Sequence, residues 1–363
     1  MRKGFTTGSC AAAASKAAAY MLLGGNKKEK IKIDTPAGVV YEPCVEDIVI
    51  KGGSVSCAVR KDSGDDPDVT NNALIYATVS YCEGRAQSIE IVGGEGVGIV
   101  TRPGLDRPVG DYAINTVPRQ MITEEVTQVM ELFDYKGALK VEISVPEGVA
   151  LSEKTFNPRL GIEGGISIIG TSGIVEPMSS KALLDTIQVE LRQMRAEGNE
   201  ICVVSPGNYG LDFMKEHYGY NLDRAVKCSN FIGETIDMAK ELGFKTFVLT
   251  GHVGKLIKIS GGIMNTHSKE ADCRMELMAV AALKAGADAE CALSILDCVT
   301  TEEGYEYLVK AGVKDKAFEY ILERILFYLE KRGGEDMKME CVLYSNVSGL
   351  LCESPGAAEI LTR

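Results

Sequence analysis

From residue 166 onward, short apolar runs alternate with long helical stretches, and few architectures accommodate that pattern. The runs lie at 166–169, 201–205, 246–250 and 338–344, with helical stretches near 179–196, 229–242, 269–285 and 315–331. Short apolar strands separated by helices of about 14 residues or more predict a mostly parallel sheet covered on both faces. The first 150 residues follow another rule. Thr6-Thr7-Gly8-Ser9 offers capping side chains, seven alanines follow between Cys10 and Leu23, and Gly24-Gly25 closes a helix. Alternating or β-branched runs then occur at 31–33, 39–50, 54–60, 75–82 and 88–92, before a helix near 118–132 and a strand at 139–145. The expected organisation is therefore two domains, an α+β one followed by an α/β one. A mixed α+β N-terminal domain (1–150) is joined by a polar linker (151–165), rich in glycine, to an α/β domain (166–363) with a mostly parallel sheet.

Charge narrows the class. Lys and Arg number 39 against 51 Asp and Glu, a net charge of −12 over 363 residues. That balance disfavours a general nucleic-acid binder and adsorption to an anionic membrane. Arg2 and Lys3 are followed by the polar 4–8 stretch and not by an apolar signal core, so no targeting segment is read. No run approaches 18 apolar residues, so no spanning helix is expected. Eleven cysteines are scattered without a C-x-x-C pair. They read as reduced thiols of a cytoplasmic protein and not as a zinc or iron–sulfur framework.

Four segments exceed what folding alone requires. The helix start at Thr6, Thr7 and Ser9 is either a plain cap or an anion site. The run Lys61-Asp62-Ser63-Gly64-Asp65-Asp66-Pro67-Asp68-Val69-Thr70 is either a solvated turn with Asx caps or a group of carboxylates serving a ligand. Three Gly-containing loops at 170–177, 206–210 and 251–255 each follow an expected parallel strand. Carboxyl ends of such strands form the ligand crevice of open α/β sheets. The segment Lys258-Ile259-Ser260-Gly261-Gly262-Ile263-Met264-Asn265-Thr266-His267-Ser268 is polar and conformationally permissive. His252 and His267, two of only three histidines, flank this region and are candidates for proton transfer. Neither G-x-G-x-x-G with its distal acid nor a phosphate-binding G-x-x-x-x-G-K-[ST] occurs.

Together these segments resemble the cobalt-precorrin-5B C1-methyltransferase family of the anaerobic cobalamin pathway. The resemblance rests on Gly4-Phe5-Thr6-Thr7-Gly8-Ser9-Cys10-Ala11-Ala12-Ala13, the 61–70 run, and Gly170-Thr171-Ser172-Gly173-Ile174-Val175-Glu176-Pro177-Met178-Ser179. It also rests on Thr250-Gly251-His252-Val253-Gly254-Lys255 through the 261–268 segment. It spans about residues 1–275; beyond about 290 no motif is recognised.

The resemblance implies S-adenosylmethionine as cosubstrate and methylation of ring carbon 1 of a cobalt-bearing tetrapyrrole, yielding cobalt-precorrin-6A. Cobalt would arrive within the substrate, so no protein metal site is required. Expected at the donor are Gly170, Thr171, Ser172, Gly173, Glu176, Gly207 and Asn208. Expected at the tetrapyrrole are Thr6, Thr7, Ser9, Asp65, Asp66, Asp68, Lys255, Lys258 and Asn265, with His252 and His267 as catalytic bases. Two rivals stay open, a nicotinamide-dependent precorrin reductase and a non-catalytic tetrapyrrole carrier. The partner is a small molecule, neither nucleic acid nor membrane, and a homo-oligomer stays open.

Overall fold

A computed structural model describes every residue except Met178 and Arg363, so Met178 of the 170–179 motif lies outside the described residues. The chain divides into two compact units, Met1–Ser179 and Ser180–Arg363.

The first unit is built around a helix of small residues. Helix α1 (Thr7–Gly24) is capped by Thr6, whose Oγ1 accepts the Ser9 N–H, and stops at Gly25 in the left-handed conformation, φ +71°. Its seven alanines are fully buried. A helix apolar all round must be enclosed, and side chains this small let a sheet and a second helix, α2 (Thr116–Leu132), approach closely. Besides four two-residue strands, Ile33–Asp34, Val40–Tyr41, Ile99–Val100 and Ile162–Glu163, the unit contains β1 (Gly4–Phe5), β2 (Glu46–Lys51), β3 (Ser54–Arg60), β4 (Leu74–Cys82), β5 (Ile89–Gly93), β6 (Ala138–Ser144) and β7 (Ile174–Val175). The five-stranded sheet runs β2-β3-β4-β6-β5, antiparallel except for the β5–β6 pair. Alternate residues of β4 are buried, as expected where one face meets a core. The 39–50 run is not one strand; it breaks after Val40–Tyr41 at Pro43 and resumes at Glu46.

The domain boundary differs from the expectation. Residues 151–165 are no linker, because Ser152 and Ile162 are buried and Ile162–Glu163 pairs with Ile99–Val100. Nor does 166–169 start the parallel sheet. Ile166 and Ile168 form bridges to Val97 and Ile114 and sit in the core of the first unit. An apolar alternation states that one side is buried, but not against which partner.

The second unit matches the α/β expectation. Its strands are β8 (Ile201–Ser205), β9 (Ala225–Lys227), β10 (Thr246–His252), β11 (Lys338–Ser345) and β12 (Gly349–Glu353), in the order β9-β8-β10-β11-β12. The first four are parallel and β12 is an antiparallel edge. Its helices are α3 (Ser180–Ala196), α4 (Asn208–Tyr218), α5 (Ile232–Glu241), α6 (Val253–Leu256), α7 (Arg274–Ala285), α8 (Ala289–Leu296), α9 (Thr301–Lys310), α10 (Lys314–Gly333) and α11 (Ala357–Leu361). Helices α4 and α11 pack on one face, with Val203, Val248 and Val342. Helices α3, α5 and α10 cover the other, with Val204, Leu249 and Leu343. The chain leaves β8 toward β9 and returns on the far side at β10. The carboxyl ends of β8 and β10 therefore flank a topological switch point.

Candidate active site

In the first unit, three motifs far apart in sequence lock together. β1 pairs with β7, the Phe5 N–H donates to the Asp62 carbonyl at 2.8 Å, and the Gly8 N–H donates to the Ile169 carbonyl at 3.0 Å. Ser9 Oγ donates to the Gly173 carbonyl at 2.6 Å, and Thr7 Oγ1 accepts the Ile169 N–H at 2.9 Å. Thr6, Thr7 and Ser9 are buried, with their hydroxyls consumed by this joint. Gly170 and Gly173 are required here: at φ +139° and +78°, each would drive a Cβ into Thr6 or Thr35. The Ser172 carbonyl accepts the Ala37 N–H at 3.0 Å, Thr171 is exposed, and Glu176 pairs with Lys3 at 2.6 Å.

The carboxylates of the 61–70 run are likewise engaged. Asp62 forms a bidentate pair with Arg2, and Asp65 accepts the Arg2 N–H at 2.6 Å. Asp66 donates its backbone N–H to the Ser63 carbonyl. Asp68 holds the buried Lys61 ammonium and accepts the Thr70 N–H and hydroxyl. Burial pushes the Asp68 carboxyl up, but the Lys61 cation and the Thr70 hydrogen bonds outweigh it, leaving Asp68 below its ordinary value. The 170–176 loop therefore does not share a sheet edge with the 206–210 and 251–255 loops. It belongs to the joint that fixes the start of α1.

The second unit gathers the remaining candidates at the carboxyl edge of its sheet. His252, the last residue of β10, caps α6. Its Nδ1 accepts the Gly254 N–H at 3.1 Å, and its Nε2 lies 3.0 Å from Glu302 Oε1 on α9. A ring that accepts at Nδ1 carries its proton at Nε2, so His252 is a donor to Glu302 and not a vacant base. His267 is held the same way by the Lys269 N–H at 3.0 Å, which leaves its exposed Nε2 as a donor. Each ring, a candidate general base in the sequence, thus presents an Nε2–H donor in this arrangement. Asn265 accepts the His267 N–H at 3.1 Å and shapes the turn.

Lys255 and Lys258 meet at an open cavity of about 310 Å³ shared with Asn230, His267 and Arg274. Lys258 is only 3% exposed, and its ammonium donates to the Thr266 and Ala271 carbonyls at 3.2 and 2.8 Å. Lys255 donates to Asn230 Oδ1 at 3.1 Å. Burial lowers the Lys255 pKa; Lys258 adds to this and Cys228 opposes it. Among the described residues neither ammonium has a carboxylate within ion-pair distance, while Arg274 is held by Asp272. The cavity also holds the Asp272 carboxylate, kept down at about 2 chiefly by its Arg274 hydrogen bond and in part by the Lys258 charge.

Gly207 caps α4 in an extended conformation, and Asn208 Oδ1 accepts from Lys227 at 3.2 Å. Glu302, Asn230 and Tyr344 were invisible in the sequence. Glu302 lies beyond the last recognised motif, and Asn230 read as the start of a helix.

Lys255 and Lys258 thus lie at the carboxyl edge of an open α/β sheet, the edge where such sheets form ligand crevices. Residues 1–177 match the family model described as CbiD, and residues 265–355 match CbiD, C-terminal domain. The cobalt-precorrin-5B C(1)-methyltransferase of Ruminiclostridium cellulolyticum is 47% identical over 96% of this chain and 90% of that protein. The protein of the same name from Thermoanaerobacter sp. is 46% identical over 98% of this chain and 95% of its own length. A 1.9 Å crystal structure of the cobalamin biosynthesis protein CbiD from Archaeoglobus fulgidus is 29% identical, covers 76% of this chain and 84% of that one, and has a TM-score of 0.40. The chain belongs to the CbiD family.

Proposed function

We propose that this protein methylates ring carbon 1 of cobalt-precorrin-5B from S-adenosylmethionine, giving cobalt-precorrin-6A on the route to cobalamin. The observation that carries this reading is the 47% identity, over nearly the whole of both chains, to a relative named for that reaction. In the transfer, a bond forms between the nucleophilic ring carbon and the methyl. The bond from methyl to sulfur breaks, and its electron pair stays on sulfur as S-adenosylhomocysteine. The methyl is already activated, so the protein mainly aligns the reactants and excludes water.

The residues divide accordingly. Lys255, Lys258 and the Nε2–H of His267 receive substrate carboxylates, with Arg274 and Asn230 beside them. A bound carboxylate opposes the burial that lowers the Lys255 pKa and so favours its charged form. The joint of Thr6, Thr7, Ser9, Asp65, Asp68, Gly170 and Gly173 acts by shaping the first unit, with exposed Thr171 and Glu176 at its surface. The eleven free thiols suit a reducing cytoplasm.

The test is incubation of the protein with S-adenosylmethionine and cobalt-precorrin-5B, with the product identified by mass. Gain of one methyl with S-adenosylhomocysteine release supports the reading. Consumption of NADPH without methylation would instead favour the reductase. Lys255→Ala should raise the KM for the tetrapyrrole about tenfold, the lower end for a charge-assisted contact that is partly exposed.

A further inference from the structure

A second cavity opens on the same sheet edge, and its character is opposite to the first. It measures about 470 Å³ and is walled by α4 and the end of β11, through Tyr209, Asp212, Phe213, Glu216 and Tyr344. The Phe213 and Tyr344 rings stack in parallel with centroids 4.3 Å apart, and His252 stands edge-on to Tyr344 at 5.6 Å. His252 touches one lining residue of each cavity: its ring meets Tyr344 of the aromatic wall, and its Nδ1 holds Gly254 of the lysine-lined one.

Asp212 and Glu216 stand one turn apart on α4, both exposed, and neither forms an ion pair among the described residues. Like charges at this spacing repel, so holding them together without a counterion costs stability that a bound cation would recover. Tyr209 is 73% exposed and presents its ring to the cavity. Aromatic faces together with carboxylates form the environment that attracts a sulfonium.

We infer that the cavity of Tyr209, Asp212, Glu216 and Tyr344 binds the positively charged methyl donor, while the lysine-lined cavity across His252 takes the anionic tetrapyrrole. This assignment rests on the methyltransferase reading. Charge sorts the two reactants: the donor carries one net positive charge and the acceptor several carboxylates. Each cavity repels the wrong ligand as well as attracting the right one. Spent donor loses the sulfonium charge, so the same carboxylates favour its exchange for fresh donor.

The experiment is calorimetric titration of wild type, Asp212→Asn/Glu216→Gln and Lys255→Ala with S-adenosylmethionine and S-adenosylhomocysteine. The double variant should bind S-adenosylmethionine about tenfold more weakly, and the uncharged product only two- to threefold more weakly. Lys255→Ala should leave both nucleosides unaffected. Tyr209→Ala, truncating an exposed ring, should weaken both about equally, and it carries the test where the double variant unfolds. Unchanged binding of both nucleosides by the double variant and by Tyr209→Ala would overturn the cavity. Equal losses of the two nucleosides in the double variant would overturn the charge argument. If the wild type binds neither nucleoside and yields no methylated product, the failure lies with the methyltransferase reading itself.

Discussion

The imidazole of His252 is tied at both nitrogens, with Glu302 Oε1 3.0 Å from Nε2. One side chain thus caps α6 and also fixes the orientation of α9 at the sheet edge. The two duties can be separated. Asn at position 252 can still accept the Gly254 N–H but cannot reach Glu302.

His252→Ala should therefore cost about 1 kcal/mol of stability, as loss of an N-cap does. His252→Asn should recover most of that in urea denaturation. Glu302 also acts electrostatically on Arg274 of the lysine-lined cavity, so methyl transfer should fall in both variants alike, because neither holds Glu302. Full activity in His252→Asn would reduce the histidine to a cap.

The Lys61–Asp68 pair gives stability a defined dependence on acid. Lys61 has only 2% of its side chain exposed, and Asp68 is its partner. The Asp68 carboxyl titrates below the ordinary 3.8 when folded. Its stabilisation is therefore complete above that ordinary value and is lost as pH falls through the lower folded value. Asp68→Asn should destabilise the protein by about 3 kcal/mol near neutral pH, since it strands a buried ammonium. The difference from wild type should shrink below pH 3.8 in urea titrations. A difference that is the same at both pH values would show that the pair is not the source.

Thiol chemistry should sort the cysteines by burial. Burial pushes Cys10 up to about 11 and Cys57 and Cys228 up to about 12, whereas Cys44 and Cys273 are exposed. A thiol reagent at mild pH should label Cys44 and Cys273 first and the buried set only after denaturation. Cys273 also sits at φ +101°, where a side chain is strained. Cys273→Gly should relieve about 1–2 kcal/mol and lose about 0.4–1 through unfolded-state entropy, a net gain of about 0.8 kcal/mol. It should also remove one of the fast-reacting thiols. Net destabilisation would place a cost on losing the cysteine side chain beyond its backbone.

The alternation of strands and helices after residue 200 already determined the parallel sheet, because its periods follow from which faces must be buried. The alanine run and its caps likewise determined α1, since both act within a few residues. Lys255 and Lys258 were legible because they lie in a strand-end segment. What the sequence could not decide was which partner satisfies each group. Ile166 and Ile168 read as a strand of the second sheet, yet the packing places them with Val97 and Ile114. Thr6, Ser9 and the 170–173 loop read as ligand contacts, yet their hydrogen bonds span more than 160 residues within one joint. Asp212, Glu302 and Tyr344 gain meaning only where α4, α9 and β11 meet at the sheet edge. Hydrophobic period and capping are local and survive in one dimension. Hydrogen-bond satisfaction and charge pairing are settled only when distant segments compete for the same group in three dimensions.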